Sequence, residues 1–268
     1  MTRLTLTISS VVLAAMAFPA AARDLQEVLN NGMLRVGVTL FAPWAARAGN
    51  GELIGFEVDV AKQLAADMGV KVELSPYDVD RLVPALESGE IDLIAAGFTI
   101  TPDRALHVNF SQPYAATGIA LATHVERTAN VKDLAALDHP SYSIAAVEGS
   151  VAVPLARRLL PRAKLVVLPS AEAASSALLA GEVHGYLEDE PVPTFLALDH
   201  PGVIDVPLTQ PLLQSRAGFA VNKGDPDFLA FLNAWITARE ADTWLPTTTS
   251  YWFKSLRWRE RLGDARPR

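Results

Sequence analysis

The 268-residue chain contains no cysteine. Disulfides and cysteine–metal sites are thereby excluded, as is a lipid anchor on a cysteine at a leader cleavage site. Stability has to come from packing alone. Positive charge is also scarce, since 23 Lys and Arg stand against 30 Asp and Glu for a formal charge of -7. An acidic chain without a basic block is a poor partner for nucleic acid. Gly-x-Ser-x-Gly elbows, His-Glu-x-x-His pairs and phosphate loops are all missing. The histidines (His107, His124, His139, His184, His200) show no metal spacing, and two of them sit in Asp-His-Pro turns. No metal or cofactor is expected. Beyond the N-terminal segment, no apolar run is long enough to cross a bilayer.

That N-terminal segment has the parts of an export leader. Arg3 supplies a positive start, Leu4 to Phe18 is apolar, Pro19 breaks the run, and Ala20-Ala21-Ala22 offers small residues for cleavage. Cleavage is expected after Ala22, which would place the chain in a bacterial periplasm. An uncleaved anchor is the alternative.

The rest alternates short apolar runs with amphipathic helical patterns. Strands are expected at Leu34 to Val38, Val72 to Leu74 and Ile91 to Phe98, the last nearly continuous as in a sheet covered on both faces. Phe56, Val60 and Leu64 recur at helical spacing before Gly69, and Asp80 can cap a helix running through Leu86 to Gly89. The alternation restarts with strands at Ser143 to Val147 and Lys164 to Leu168, and helices at Val151 to Leu160 and Ala171 to Ala180. A late strand, Gly218 to Asn222, precedes a helix from Pro226 to about Arg239 and an aromatic tail. This is an α/β pattern with parallel-rich sheets, and its two runs imply two lobes.

Ligands of such sheets sit where strands end and helices begin. The stretch "AAGFTITPDR" (Ala95 to Arg104) ends an apolar run with Thr101 as a helix cap and Pro102 at the first helical position. Arg104 then opposes the helix dipole, a conflict that a bound anion gripped by its guanidinium would remove. A surface ion pair with Asp103 or Asp78 is the plainer alternative. "VEGS" (Val147 to Ser150) repeats the strand–turn–helix geometry, and "LEDEP" (Leu187 to Pro191) sets three acids before a helix. Acids at helix starts are also common dipole partners.

"GFEVDVAKQLAADMG" (Gly55 to Gly69), "LVPALESGEIDLIAAGFTITPDRALHVNFSQPY" (Leu82 to Tyr114) and the late "LNAWITAREAD" and "YWFKSLRW" resemble the bacterial extracellular solute-binding proteins of family 3, the periplasmic receptors of polar amino-acid transporters. The resemblance implies a type II-like, two-lobed α/β clamp. Residues 23–113 and 217–268 would form lobe 1, and 114–216 an inserted lobe 2. Hinge strands would lie near Ser111 to Ala116 and Gln214 to Ala217. It implies a monomer that takes no part in catalysis and passes an amino acid to the membrane permease of an ABC transporter. Its ligand site would comprise Phe41, Trp44, Gly97, Phe98, Thr99, Arg104, Ser150, Val151 and Asp189. Arg104 matches the arginine for the ligand α-carboxylate, with Gly97 and Thr99 beside it, and Asp189 the acid for the α-ammonium. Ser150 and Val151 match the turn of the second lobe. Phe41 stands where a stacking aromatic is usual and Trp44 adds to it, although lobe core is the other place for both rings. The segment after the first strand, "VTLFAPW", lacks the acid of many relatives, and Val79 and Val151 replace an aromatic and a hydroxyl. A neutral amino acid is therefore expected. Two further readings share this fold: a periplasmic dehydratase acting on prephenate-like acids, with Glu188 or Glu190 as its acid, and a ligand-sensing partner of a membrane receptor.

Overall fold

Two sheets turn the carboxyl ends of their strands toward one cleft. The computed structural model describes residues 23–131, 133–254 and 257–262. The expected leader, residues 1–22, lies outside the described residues. Among these, no helix is long and apolar enough to cross a membrane.

Strand Met33–Val38 is an interior strand of the first sheet, and its Leu34, Val36 and Val38 are fully buried. It pairs in parallel with Lys71–Pro76 on one side and Leu93–Ile94 on the other. Strands Ala220–Asn222 and Val108–Phe110 continue the sheet antiparallel. Helix Phe56–Met68 packs on this sheet through Phe56, Val60, Ala61 and Leu64, which recur every three or four residues. Gly69 closes it in the left-handed conformation at φ 71°. Helix Val79–Glu87 starts two residues earlier than Asp80 as a cap would have it, with Asp78 in the cap position.

The second sheet runs Ile204–Asp205, Ala115–His124, Gly185–Asp189, Ser143–Val147 and Lys164–Leu168, and Leu213–Ala217 also pairs with Ala115–His124. Its last three strands are mutually parallel. Strands Ser143–Val147 and Lys164–Leu168 have the bounds expected from sequence. Two connections join the sheets. Ala115 pairs with Ala217 at the start of the crossing strands, Tyr114 N–H donates to Ala217 O at 3.0 Å, and Ile100 N–H donates to Arg216 O at 2.9 Å. The architecture is a two-lobed α/β fold of the type II periplasmic-binding kind.

Two expectations need correction. The run Ile91 to Phe98 is a strand only at Leu93–Ile94. Past Ala95 the chain leaves the ladder because Gly97 turns to φ +57° and its N–H bonds to the Glu57 carboxylate at 2.5 Å. The helix after Thr101 is a single turn, Pro102–Ala105, too short for its dipole to weigh on Arg104. The aromatic tail, which resembles the family's C-terminal helices, forms helix Trp244–Phe253 against the first sheet's core, where Trp252 is buried.

One buried acid fixes the strand order that presents the cleft. Asp92 is 3% exposed and accepts from the guanidinium groups of Arg23 and Arg35 and from Arg35 N–H at 2.8 Å. Burial alone would raise its pKa, but these donors outweigh it and hold it below the usual aspartate value of 3.8. Its stabilisation is therefore present above about pH 4 and lost as pH falls through the depressed folded value. Asp92→Ala should lower the unfolding free energy by about 2–4 kcal/mol at pH 7, because two part-buried arginines lose their acceptor. Urea unfolding at pH 7 measures it. A loss below about 0.5 kcal/mol, the size of an ordinary surface change, would contradict this role.

Candidate ligand-binding site

Three strands from each sheet end at one cavity of about 320 Å³. Thr39 to Phe41 follow the first strand, Tyr77 to Val79 the second, and Ala96 to Thr99 the third. From the second sheet come Val147, Ser150 and Val151, then Pro169 to Glu172, then Glu188 and Asp189. This is where an α/β sheet ordinarily holds a ligand, and the size suits a small molecule.

Arg104 enters this cavity from the first lobe. Its guanidinium lies 3.9 Å over the centre of the Phe98 ring, and Phe98 in turn stacks on Phe110. One guanidinium nitrogen donates to Thr99 O at 2.9 Å and another to Gly149 O at 2.8 Å. Neither Asp103 nor Asp78 forms the ion pair that sequence left open for it. Desolvation lowers its pKa to about 10, partly offset by Asp189 and Asp103, so it stays charged at neutral pH. Phe98 thus serves as a platform beneath the guanidinium. Thr99 is buried and lines the cavity beside it.

Asp189 faces Arg104 from the second lobe. It ends strand Gly185–Asp189, opposite Ile119, and accepts from the Thr117 hydroxyl. Burial pushes its pKa up to about 6 against the lowering effects of Thr117 and Arg104. Glu188, next to it and equally enclosed, accepts from Asp189 N–H at 2.9 Å and shares a hydrogen bond with Tyr186. Desolvation and the Asp189 charge push Glu188 up to about 7. Among the described ion pairs, none joins Arg104 to Asp189. Arg104 is held by Thr99 of its own lobe and Gly149 of the other, Asp189 by Thr117 of its own, and the two charges stay separated across the cavity.

Other expected residues divide. Phe41, Ser150 and Val151 line the cavity, with Ser150 Oγ donating to Val147 O at 2.7 Å. Gly97 also lines it, but its N–H points to Glu57 and is taken. Trp44 does not reach the cavity. It is 1% exposed, edge-on to Phe56 and Phe253, and stacked against Phe41 at 5.9 Å. The ring is too apolar and too well enclosed there to face a wet cleft, and it supports Phe41 from behind. Sequence reasoning missed Thr117 and Tyr186, which anchor the two carboxyls through strand pairing that no local pattern reveals. It also missed Thr39, whose hydroxyl is buried at the cavity wall with no hydrogen bond to the protein.

The lobes touch around this cavity. A Cβ on Gly149 would lie 2.7 Å from Asp80 N, and Phe41 and Val79 pack on the second lobe's core. Among the described residues no His, Cys, Asp and Glu group has a metal-holding arrangement.

Comparison with known proteins bears on the family and the fold. The chain is 24% identical to cyclohexadienyl dehydratase of Pseudomonas aeruginosa over 248 residues, 92% of each chain. Among solved structures it is similar to a binding component of an ABC transporter from Wolinella succinogenes complexed with lysine, at 32% identity and TM-score 0.80, covering 85% of this chain and 99% of that one. An ancestral amino acid-binding protein, described as a precursor of cyclohexadienyl dehydratase, matches at 31% identity and TM-score 0.78, covering 85% and 98%. The model of the bacterial extracellular solute-binding proteins, family 3, matches residues 34–255. The chain belongs to that family.

Proposed function

We propose that this protein is a periplasmic receptor that captures an α-amino acid and delivers it to the permease of an ABC transporter. One observation carries the reading: a guanidinium from one lobe and a carboxylate from the other face the same cavity without pairing. A zwitterion supplies the missing partner of each. Arg104 would take the α-carboxylate in a two-pronged grip, with Thr99 beside it, and Asp189 the α-ammonium. Ser150 and Val151 would close the second wall and Phe41 would cover the side chain. On this reading the boundaries are 23–113 and 217–268 for lobe 1 and 114–216 for lobe 2, and the crossing segments at 111–116 and 214–217 are the hinge. Contacts on both lobes are what let a ligand hold such a clamp closed.

The side-chain pocket supports a neutral ligand. Leu40, Phe41, Val79, Leu82, Ala96 and Val151 line it, and both Glu188 oxygens are already hydrogen-bonded. Asp78 and Glu172 border the cavity but are exposed to water, which screens them. An apolar side chain gains about 25 cal/mol for each Å² removed from water, while an unpartnered buried cation costs several kcal/mol.

A second reading, a dehydratase of the prephenate type, is favoured by one feature. Glu188 is an enclosed carboxyl held near neutral pKa at the cavity wall, as a general acid requires. Incubation with prephenate separates the readings: a receptor releases no phenylpyruvate, whereas an enzyme releases it catalytically.

Three outcomes follow for the receptor. Arg104→Ala should weaken binding of the preferred amino acid by about 2–5 kcal/mol in calorimetry, and Arg104→Lys should recover little of it. A loss under about 0.5 kcal/mol would remove Arg104 from the site. Because the ammonium needs an ionised Asp189, wild-type affinity should fall as pH drops through about 6 and be roughly tenfold weaker at pH 5 than at pH 7. Asp189→Asn should bind weakly and flatten that profile, and a flat wild-type profile would contradict the assignment. In a thermal-shift screen of the twenty amino acids, a neutral one should stabilise most. Arginine, lysine or histidine in first place would overturn the neutral pocket.

A further inference from the structure

Behind the proposed carboxylate seat lies a buried acid that does not line the cavity. Glu57 sits in the first turn of helix Phe56–Met68, and its residue is 0% exposed. A single oxygen, Oε1, accepts two hydrogen bonds: from Gly97 N–H at 2.5 Å and from the Tyr114 hydroxyl at 2.7 Å. The other oxygen, Oε2, is buried with no partner. The main chain on the helix side is pinned as well, with Glu57 N–H donating to Trp44 O at 2.9 Å.

The two donors belong to different working parts. Gly97 opens the segment Gly97 to Thr99, whose Thr99 carbonyl and Phe98 ring hold the Arg104 guanidinium. It turns there at φ +57°, and an added Cβ would lie 2.9 Å from the Trp44 ring. Tyr114 stands at the crossing between lobes. Its N–H holds Ala217 O at 3.0 Å and its ring stacks on Phe219 at 4.2 Å. An apolar side chain in place of Glu57 could fill the volume but could accept from neither donor.

We propose that Glu57 is a positioning residue that ties the hinge tyrosine to the segment seating Arg104, so that the hinge and the carboxylate seat move as one unit. That this segment is a carboxylate seat rests on the function proposed above; the mechanical link between Tyr114 and Gly97 does not. Both hydrogen bonds converge on one oxygen, so loosening either donor frees the carboxyl to swing away from the other. The linkage explains why an enclosed acid with an unsatisfied oxygen is placed here at all, since burying such a group is unfavourable.

Residue-resolved hydrogen exchange on the ligand-free full chain tests this. Tyr114→Phe removes only the hinge-side donor. If the link holds, the Gly97 amide, which the substitution does not touch, should exchange roughly tenfold faster. Amides of strand Ser143–Val147 should keep their protection. Glu57→Gln retains an acceptor oxygen and should keep Gly97 protected, whereas Glu57→Leu should expose Gly97 and the hinge amides together. Unchanged Gly97 exchange in Tyr114→Phe overturns the proposal. So does a uniform increase across the chain, which is the signature of a merely structural residue. Calorimetry with the preferred amino acid separates this inference from the site assignment. If Arg104→Ala abolishes binding while Tyr114→Phe leaves Gly97 exchange unchanged, the seat stands and the link fails. Coupled exchange with no effect of Arg104→Ala on binding leaves the link standing and removes the seat.

Discussion

Two opposite charges held apart in a partly dehydrated cleft are the constraint on which the rest of this structure depends. Left free, Arg104 and Asp189 would gain by pairing, and the cavity between them would collapse. Each is instead anchored by other groups, Arg104 by both lobes and Asp189 by its own. Arg104 lies on the Phe98 ring and donates to the Thr99 and Gly149 carbonyls, and Asp189 is held by Thr117. An enclosed charge without its counter-ion is unfavourable, and the burial-driven shifts of both groups express that tension. On the function proposed above, a zwitterion would relieve it at both ends.

The fold supplies the separation by simple means. Two parallel-rich sheets point their carboxyl ends at each other, so that loops from six strands meet at one place. The Arg104 bond to Gly149 and the approach of Gly149 to Asp80 bring the lobes into contact around the cavity. Behind the first lobe's loops, Trp44, Phe56, Tyr114 and Phe253 form a contiguous aromatic layer. Among the described residues the second lobe has no comparable layer, and its wall is polar where Ser150, Glu188 and Asp189 stand.

Much of this was legible in the sequence where local pattern and fold agree. Ser143–Val147 and Lys164–Leu168 were readable as strands because each is a short apolar run bounded by polar residues. Arg104 stood out because a cation sat just past a capping threonine and a proline, yet the physical reason differed. The helix is one turn, and a ring and two carbonyls hold the guanidinium. The run Ile91 to Phe98 looked like one strand because apolar character continues past the point where Gly97 turns away. Trp44 looked like a ligand contact because nothing local says which side of Phe41 it packs on. Thr117 and Tyr186 were out of reach for a deeper reason. Their relation to Asp189 and Glu188 is set by pairing between Gly185–Asp189 and Ala115–His124, which are far apart along the chain.

The central claim is that two seats read two charges on one small molecule. It is met most directly by comparing the preferred amino acid with two analogues, one lacking the α-ammonium and one with the α-carboxylate converted to an amide. In calorimetry at pH 7 each analogue should bind at least about thirtyfold more weakly, since each leaves one buried charge without its partner. Affinity within about twofold of the parent for either analogue, close to no difference in free energy, would contradict it.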